Sequence, residues 1–323
     1  MGCPRLSASI VLVVATTVVA GCAGDSAPPD DVDAVAGRPA DTAGDRSGSL
    51  LKDLRGWRLT FLAVRTGKQP HLYVANPDGS DLRQLDRLPG DKQTPNWSPD
   101  GRHVAVRWVP DDYDNPTPLL VLSADGATAV DLTKKTGLSG WSPSWSPDGK
   151  RLVTAARAKG DATPGLYVMN ADGTDARRIT PAGREAQYAA WSPAGDVIAF
   201  TFVEAGSFDL FTIRPDGSGL QRLTSDGAGG ENNWAMWSPD GSKIAWGRGE
   251  SVWVMNADGS EQRVVTEAGG VPGAWAPAPF ITIQCQTDRG IGICAVSEDG
   301  SALTTLLGGI DAGFPGWRPK QGR

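Results

Sequence analysis

The chain has 323 residues, with 31 basic against 37 acidic side chains and a net charge of -6. That balance argues against a nucleic-acid partner, which demands a basic surface. With 40% hydrophobic residues, 41 Gly and 24 Pro, the chain can bury a sizeable core, and its length suits a single closed all-β domain.

The first element is not part of the fold. Arg5 precedes an apolar run from Ile10 to Ala20 that ends in Val19-Ala20-Gly21-Cys22. A charged start, a short apolar run and small residues before a cut describe an export signal over 1–21. The run is shorter than the roughly 20 residues that span a bilayer. Val-Ala-Gly-Cys resembles a bacterial lipobox, which implies that Cys22 is lipidated and becomes the mature N-terminus. Residues 22–50 are rich in Ala, Gly, Pro, Ser and Asp and poor in large apolar groups, so they read as a disordered acidic tether. The folded domain is expected over 51–323.

From there the chain repeats a two-part phrase. One part is Trp-Ser-Pro-Asp-Gly at Trp97, Trp145 and Trp237, with Trp191-Ser192-Pro193-Ala194-Gly195 changed at one place. Trp275-Ala276-Pro277 and Trp317-Arg318-Pro319 are worn copies. The other part is a short apolar strand ending in Asp-Gly, at Gly79, Gly126, Gly173, Gly217, Gly259 and Gly300. Asp-Gly between apolar runs marks a hairpin, and Pro pre-sets φ in the other turn. Each unit therefore reads as four strands: A into the Trp, B after its turn, C into Asp-Gly, and D.

Self-similarity at this period means a propeller or an array. The sequence opens with a B-like strand at Trp57–Val64, and Gly313–Arg318 is a strand A with nothing after it. Pairing these two ends predicts a six-bladed β-propeller whose closing blade is shared between the termini, which removes open sheet edges. The repeats resemble the TolB-type (WD-like, PD40) propeller family from Trp57 to Pro319. That resemblance implies a periplasmic or surface location and, most often, protein binding.

The six strand-A residues Trp97, Trp145, Trp191, Trp237, Trp275 and Trp317 are expected to pack blade against blade, since each removes roughly 150–250 Å² from water. His103 stands where other units have Arg151, Val197 and Lys243, which marks a tolerant surface position. His71 stands where others have Gly165, Asp209 and Ser251. Neither makes a metal cluster or an acid–base pair, so no catalytic residue, metal or cofactor is expected. Cys285 and Cys294 lie in one hairpin. A turn centred between Arg289 and Gly290 would set them opposite, and in an exported protein they are expected to form a disulfide.

Because both turn types occupy one end of the ring, recognition is expected at the other, built by B–C loops and D–A connections. Candidates are Tyr113 with Asp111, Asp112 and Asp114 in a long loop. The aromatics Trp141, Tyr188, Trp234 and Phe314 join them, with Asn232 and Asn233, at the mouth of the central channel. The expected partner is an envelope protein or extended peptide, with the membrane reached through the lipid and the protein itself a monomer. The alternative is a calcium-dependent lactonase- or lyase-like propeller enzyme, with Glu231, Asn96, Asn232 and Asn233 as the available oxygen ligands.

Overall fold

The computed structural model describes residues 54–63, 70–88, 90–109, 117–226, 231–267, 272–288, 290–309 and 312–319. The export signal, Cys22, the tether and Asp111, Asp112, Tyr113 and Asp114 lie outside these residues. Short runs rich in Val, Ile, Phe, Tyr and Thr, punctuated by Gly at positive φ, form strands that turn back on their neighbours. Blade 1 contains β1 (Arg58–Ala63), β2 (His71–Ala75) and β3 (Arg83–Gln84). Blade 2 is β4 (Asp91–Trp97), β5 (His103–Val109), β6 (Leu119–Ser123) and β7 (Ala129–Asp131), followed by the short helix α1 (Leu132–Thr136). Blade 3 is β8 (Ser139–Trp145), β9 (Arg151–Arg157), β10 (Gly165–Asn170) and β11 (Arg177–Arg178). Blade 4 is β12 (Glu185–Trp191), β13 (Ile198–Glu204), β14 (Ser207–Ile213) and β15 (Gln221–Arg222). Blade 5 is β16 (Asn232–Trp237), β17 (Lys243–Arg248), β18 (Ser251–Asn256) and β19 (Arg263–Thr266). Blade 6 is β20 (Pro272–Trp275), β21 (Phe280–Thr287), β22 (Gly290–Ser297) and β23 (Leu303–Leu307), and β24 (Ala312–Arg318) returns to blade 1.

The described strands form six antiparallel four-stranded sheets, and the first is ordered β24-β1-β2-β3. The expected shared blade is therefore present, with Leu59 opposite Trp317 and Arg58 opposite Arg318. The six innermost strands touch one another in sequence around the ring, β24 closing on β4. Between blades the core divides into clusters that mix two neighbours. One joins Val153, Leu166 and Ile179 to Ile198 and Phe200; another joins Leu59, Phe61 and Tyr73 to Ile293 and Leu306 across the closure.

The repeated phrase builds a lattice at one end. Ser98, Ser146 and Ser238 each donate from Oγ to the Asp two residues on, all at 2.6 Å. The changed copy recovers its carboxylate from further along: Ser192 donates to Asp196 at 2.9 Å. Each turn also leans on the preceding blade, a Cβ on Gly195 falling 3.0 Å from the Pro147 ring. Gly126 is obligatory twice over, since its φ is +70° and a Cβ would lie 1.6 Å from the Leu85 carbonyl oxygen. Trp97, Trp145, Trp191 and Trp275 are buried. The indole N–H of Trp145 donates to the Asn96 carbonyl and that of Trp237 to Ala190, each at 3.1 Å and each in the neighbouring inner strand. In the closing copy Arg318 replaces Ser. Its Nε donates to the Gly101 carbonyl at 3.0 Å and its guanidinium lies 4.7 Å from the Trp97 ring centre.

Blade 6 departs from this pattern. Its turn has neither the Ser nor the Asp and is closed by the Ala276 N–H donating to Phe280 at 2.8 Å. At its other end Cys285 and Cys294 form a disulfide with a Cα separation of 5.9 Å. The register differs from the expected one. The strands pair as far as Thr287 and Gly290, so Cys285 faces Gly292 and Cys294 faces Ile283. The bridge is diagonal, and Gly292 opposite Cys285 has no room for a side chain, since a Cβ there would lie 2.2 Å from the Leu307 carbonyl oxygen.

Candidate functional site

The inner strands begin at the end of the ring opposite the Ser-Pro-Asp-Gly turns, because those turns follow each strand's last residue. All six lose register against their neighbour, for example between Gln93 and Asn96 and between Asn233 and Met236. In five of them the residue three before the repeat Trp has a left-handed backbone: Thr94 (φ 50°), Ser142 (53°), Tyr188 (54°), Trp234 (54°) and Phe314 (50°). For a β-branched or bulky residue that is an outlier costing on the order of 1–3 kcal/mol, held in place by the surrounding sheet. The bulge re-aims these side chains around the channel. Thr94 Oγ1 accepts from the Ser142 N–H at 3.2 Å, and the Tyr188 and Trp234 rings meet at 5.2 Å between centres and 51° between planes.

Polar groups stand beside this ring. Asp91 and Gln93 open β4, and Gln93 Nε2 donates to Asp91 Oδ2 at 2.7 Å. Arg107 on β5 donates to Gln93 Oε1 at 3.0 Å. The same carboxylate–amide pair recurs in blade 4, where Gln187 donates to Glu185. Burial pushes the Asp91 carboxyl up from its ordinary value, against the opposing pull of the Gln93 and Lys92 hydrogen bonds and the Lys92 and Arg107 charges. Burial likewise pushes the Tyr188 phenol up; Arg107, two blades away, opposes that shift and Glu185 adds to it. Asp91 Oδ1, Arg107 Nε, Ser142 Oγ and Asn233 Oδ1 are buried atoms without a hydrogen-bond partner among the described residues. Such atoms are uncommon in folded proteins, and each asks for a reason.

The sequence-derived candidates divide. Tyr188 and Trp234 are brought together, with Asn233 beside them on β16. Trp141 packs on the cluster that holds Val153 and Ala155, and Phe314 on the one that holds Leu62 and Trp97. Asn232 is fully enclosed: Nδ2 donates to the Phe208 carbonyl (3.1 Å) and Asp226 (2.7 Å), while Oδ1 accepts from the Trp246 indole (2.9 Å). Asn96 Oδ1 accepts the Trp145 N–H at 3.0 Å. Two of the four oxygen ligands considered for a metal are therefore occupied in holding strands. Among the described residues no three His, Cys, Asp or Glu side chains stand together as a metal site.

His103 is exposed. His71 is half-buried, its Nδ1 3.2 Å from Asp86, whose other oxygen accepts the Leu72 N–H at 2.6 Å. Asp86 takes the place that Thr133, Thr180 and Thr224 fill in blades 2 to 4, where each hydroxyl accepts the strand-C N–H. The fully buried Lys92 pairs with Asp86 at 2.9 Å. Sequence reasoning passed over Asp91, Gln93, Arg107 and Ser142. Aligning the repeats six, four and three residues before the Trp would have exposed all but Arg107.

Comparison with known proteins fits this geometry. The TolB β-propeller domain model matches residues 54–321. The chain belongs to the TolB β-propeller domain family. It is 32% identical over 262 residues to a TolB homologue of Chlorobium luteolum, covering 67% of this chain and 58% of that protein. It is 38% identical over 173 residues to the Tol-Pal system protein TolB of Anaeromyxobacter dehalogenans, covering 53% and 38%. The chain thus spans less than two thirds of the length of these relatives. The crystal structure of TolB from Acinetobacter baumannii superposes with a TM-score of 0.69 at 22% identity, over 82% of this chain and 67% of that one, which supports the fold.

Proposed function

We propose that this propeller works outside the cytoplasm as a module that binds another envelope protein, or an extended peptide, at the mouth opposite its turn lattice. Cys22 is the proposed lipid attachment point and 22–50 the tether, so that the domain is held at a membrane while its mouth stays open to a partner. Relatives named as Tol-Pal system proteins support an envelope role. The observation that carries the reading is the Tyr188–Trp234 ring pair, held on strained bulges beside buried polar atoms with no partner of their own. Aromatic anchors flanked by unsatisfied polar groups are what a recognition surface needs and what a spacer lacks.

The test is capture of partners from envelope extracts by the full chain and by a Tyr188→Ala/Trp234→Ala variant, with mass spectrometry of what is retained. Loss of specific partners from a variant that still melts cooperatively supports the reading, and an unchanged set sinks it. Palmitate labelling of the protein and of Cys22→Ser tests the anchor. Equal labelling would remove it.

A further inference from the structure

Four carboxylates at this end of the ring are ion-paired: Asp161 with Arg178 (3.1 Å), Glu204 with Arg184 (2.6 Å), Asp209 with Arg222 (2.6 Å) and Asp226 with Arg248 (3.1 Å). At the rim of the channel Asp91 and Glu185 have no ion-pair partner among the described residues. Each takes the side-chain amide two positions on, Gln93 or Gln187, and Asp91 also accepts the Lys92 backbone N–H. The neighbouring cations are engaged elsewhere, Lys92 with Asp86, Arg184 with Glu204 and Arg107 with Gln93.

Two further observations bear on what would complete this rim. Tyr188 lies three residues after Glu185 on β12, and its ring meets that of Trp234 on β16. Ser142, between Thr94 and Tyr188 in the ring, is only 7% exposed and its Oγ has no partner. Carboxylates beside an aromatic pair suit a planar, delocalised cation, which stacks on the rings and presents paired N–H groups to carboxylate oxygens. An ammonium would answer the charge without the stack. A neutral donor could pair the Asp91 oxygen without answering its charge.

We infer that the mouth takes up an arginine side chain of the partner, its guanidinium against the Tyr188–Trp234 pair with Glu185 and Asp91 as counter-charges. This rests on the mouth being a protein-binding surface and goes further by naming the chemistry it reads. Asp91 then carries a burial cost that the free fold does not recover, as functional groups often do.

The probes are N-acetyl-arginine amide, its uncharged citrulline isostere and N-acetyl-lysine amide, titrated against the full chain by tryptophan fluorescence and calorimetry. Arginine amide should saturate below about 10 mM, with citrulline and lysine weaker by about tenfold and about threefold. Asp91→Asn with Glu185→Gln should abolish the preference while keeping a cooperative melt at no lower temperature. No saturable arginine binding, equal binding of citrulline, or an unchanged preference in the double variant overturns the inference. Partner capture separates it from the reading beneath it. If Trp234→Ala loses the partner and the carboxylate variant does not, the binding surface stands and the arginine falls. If neither loses it, both fall.

Discussion

The two ends of the ring are made by the same strands and solve opposite problems. At the turn end every irregularity is absorbed locally: Ser192 finds Asp196 when its usual partner is Ala194, and Arg318 reaches Gly101 where a Ser is missing. Asp100, Asp148 and Asp240 are held below their ordinary range by hydroxyl and backbone donors, Asp240 down to about 2. At the mouth the strands bulge, aromatic residues take left-handed backbones, and Asp91, Arg107 and Asn233 keep buried polar atoms unpaired. The turn end leaves Arg58 Nη1 and the Trp191 and Trp317 indole nitrogens without a partner among the described residues, but satisfies its repeat carboxylates, whereas at the mouth unpaired carboxylate, guanidinium and amide atoms accompany an aromatic pair. That difference separates scaffold from recognition surface.

Attacking the scaffold should produce the largest stability losses. Trp145→Ala removes a buried ring and its indole bond to the Asn96 carbonyl, and should cost about 3–5 kcal/mol in urea unfolding. Opening the disulfide by Cys285→Ser with Cys294→Ser, a closure spanning 9 residues, should cost about 2–3 kcal/mol by the same measurement. A smaller loss follows from Asp240→Ala, about 1 kcal/mol at neutral pH because the carboxylate itself is exposed to water. The folded carboxyl of Asp240 lies below its ordinary 3.8, so this stability is complete above that value and disappears as pH falls towards 2. Wild type and variant should therefore converge at acid pH.

At the mouth the sign reverses and the effect is smallest. Asp91 is raised from 3.8 by burial, so its penalty develops as pH climbs through the raised value. Asp91→Asn should match wild type at pH 3 and be slightly more stable at pH 7, read as a melting-temperature difference that grows with pH. A variant less stable at pH 7 would mean that Asp91 belongs to the scaffold after all.

Most of the scaffold could be read from the residues, because its rules are local. Asp-Gly and Ser-Pro-Asp-Gly specify turns wherever they fall, and an unpaired strand at each end of the repeats implies closure. Tyr188 and Trp234 could be placed at the mouth by counting back from the repeat Trp. Their left-handed backbones could not, since nothing about Tyr or Trp favours φ near 54° and only the bulge in the assembled sheet enforces it. Asn232 looked available as a ligand because its partners Phe208, Asp226 and Trp246 come from three different segments. The cysteine register was misjudged by two residues, because the hairpin turns between Asp288 and Arg289 and not between Arg289 and Gly290, and moving the centre by one residue moves every cross-strand partner by two.

The central claim is that stability and recognition reside at opposite ends of one ring. The most direct test measures both in the same samples: partner capture and urea midpoint for Tyr188→Ala/Trp234→Ala beside Asp240→Ala. The mouth variant should lose its partner with little change in midpoint, and the turn variant should keep its partner with a lowered midpoint. Loss of capture by both variants in proportion to their lost stability would contradict the division.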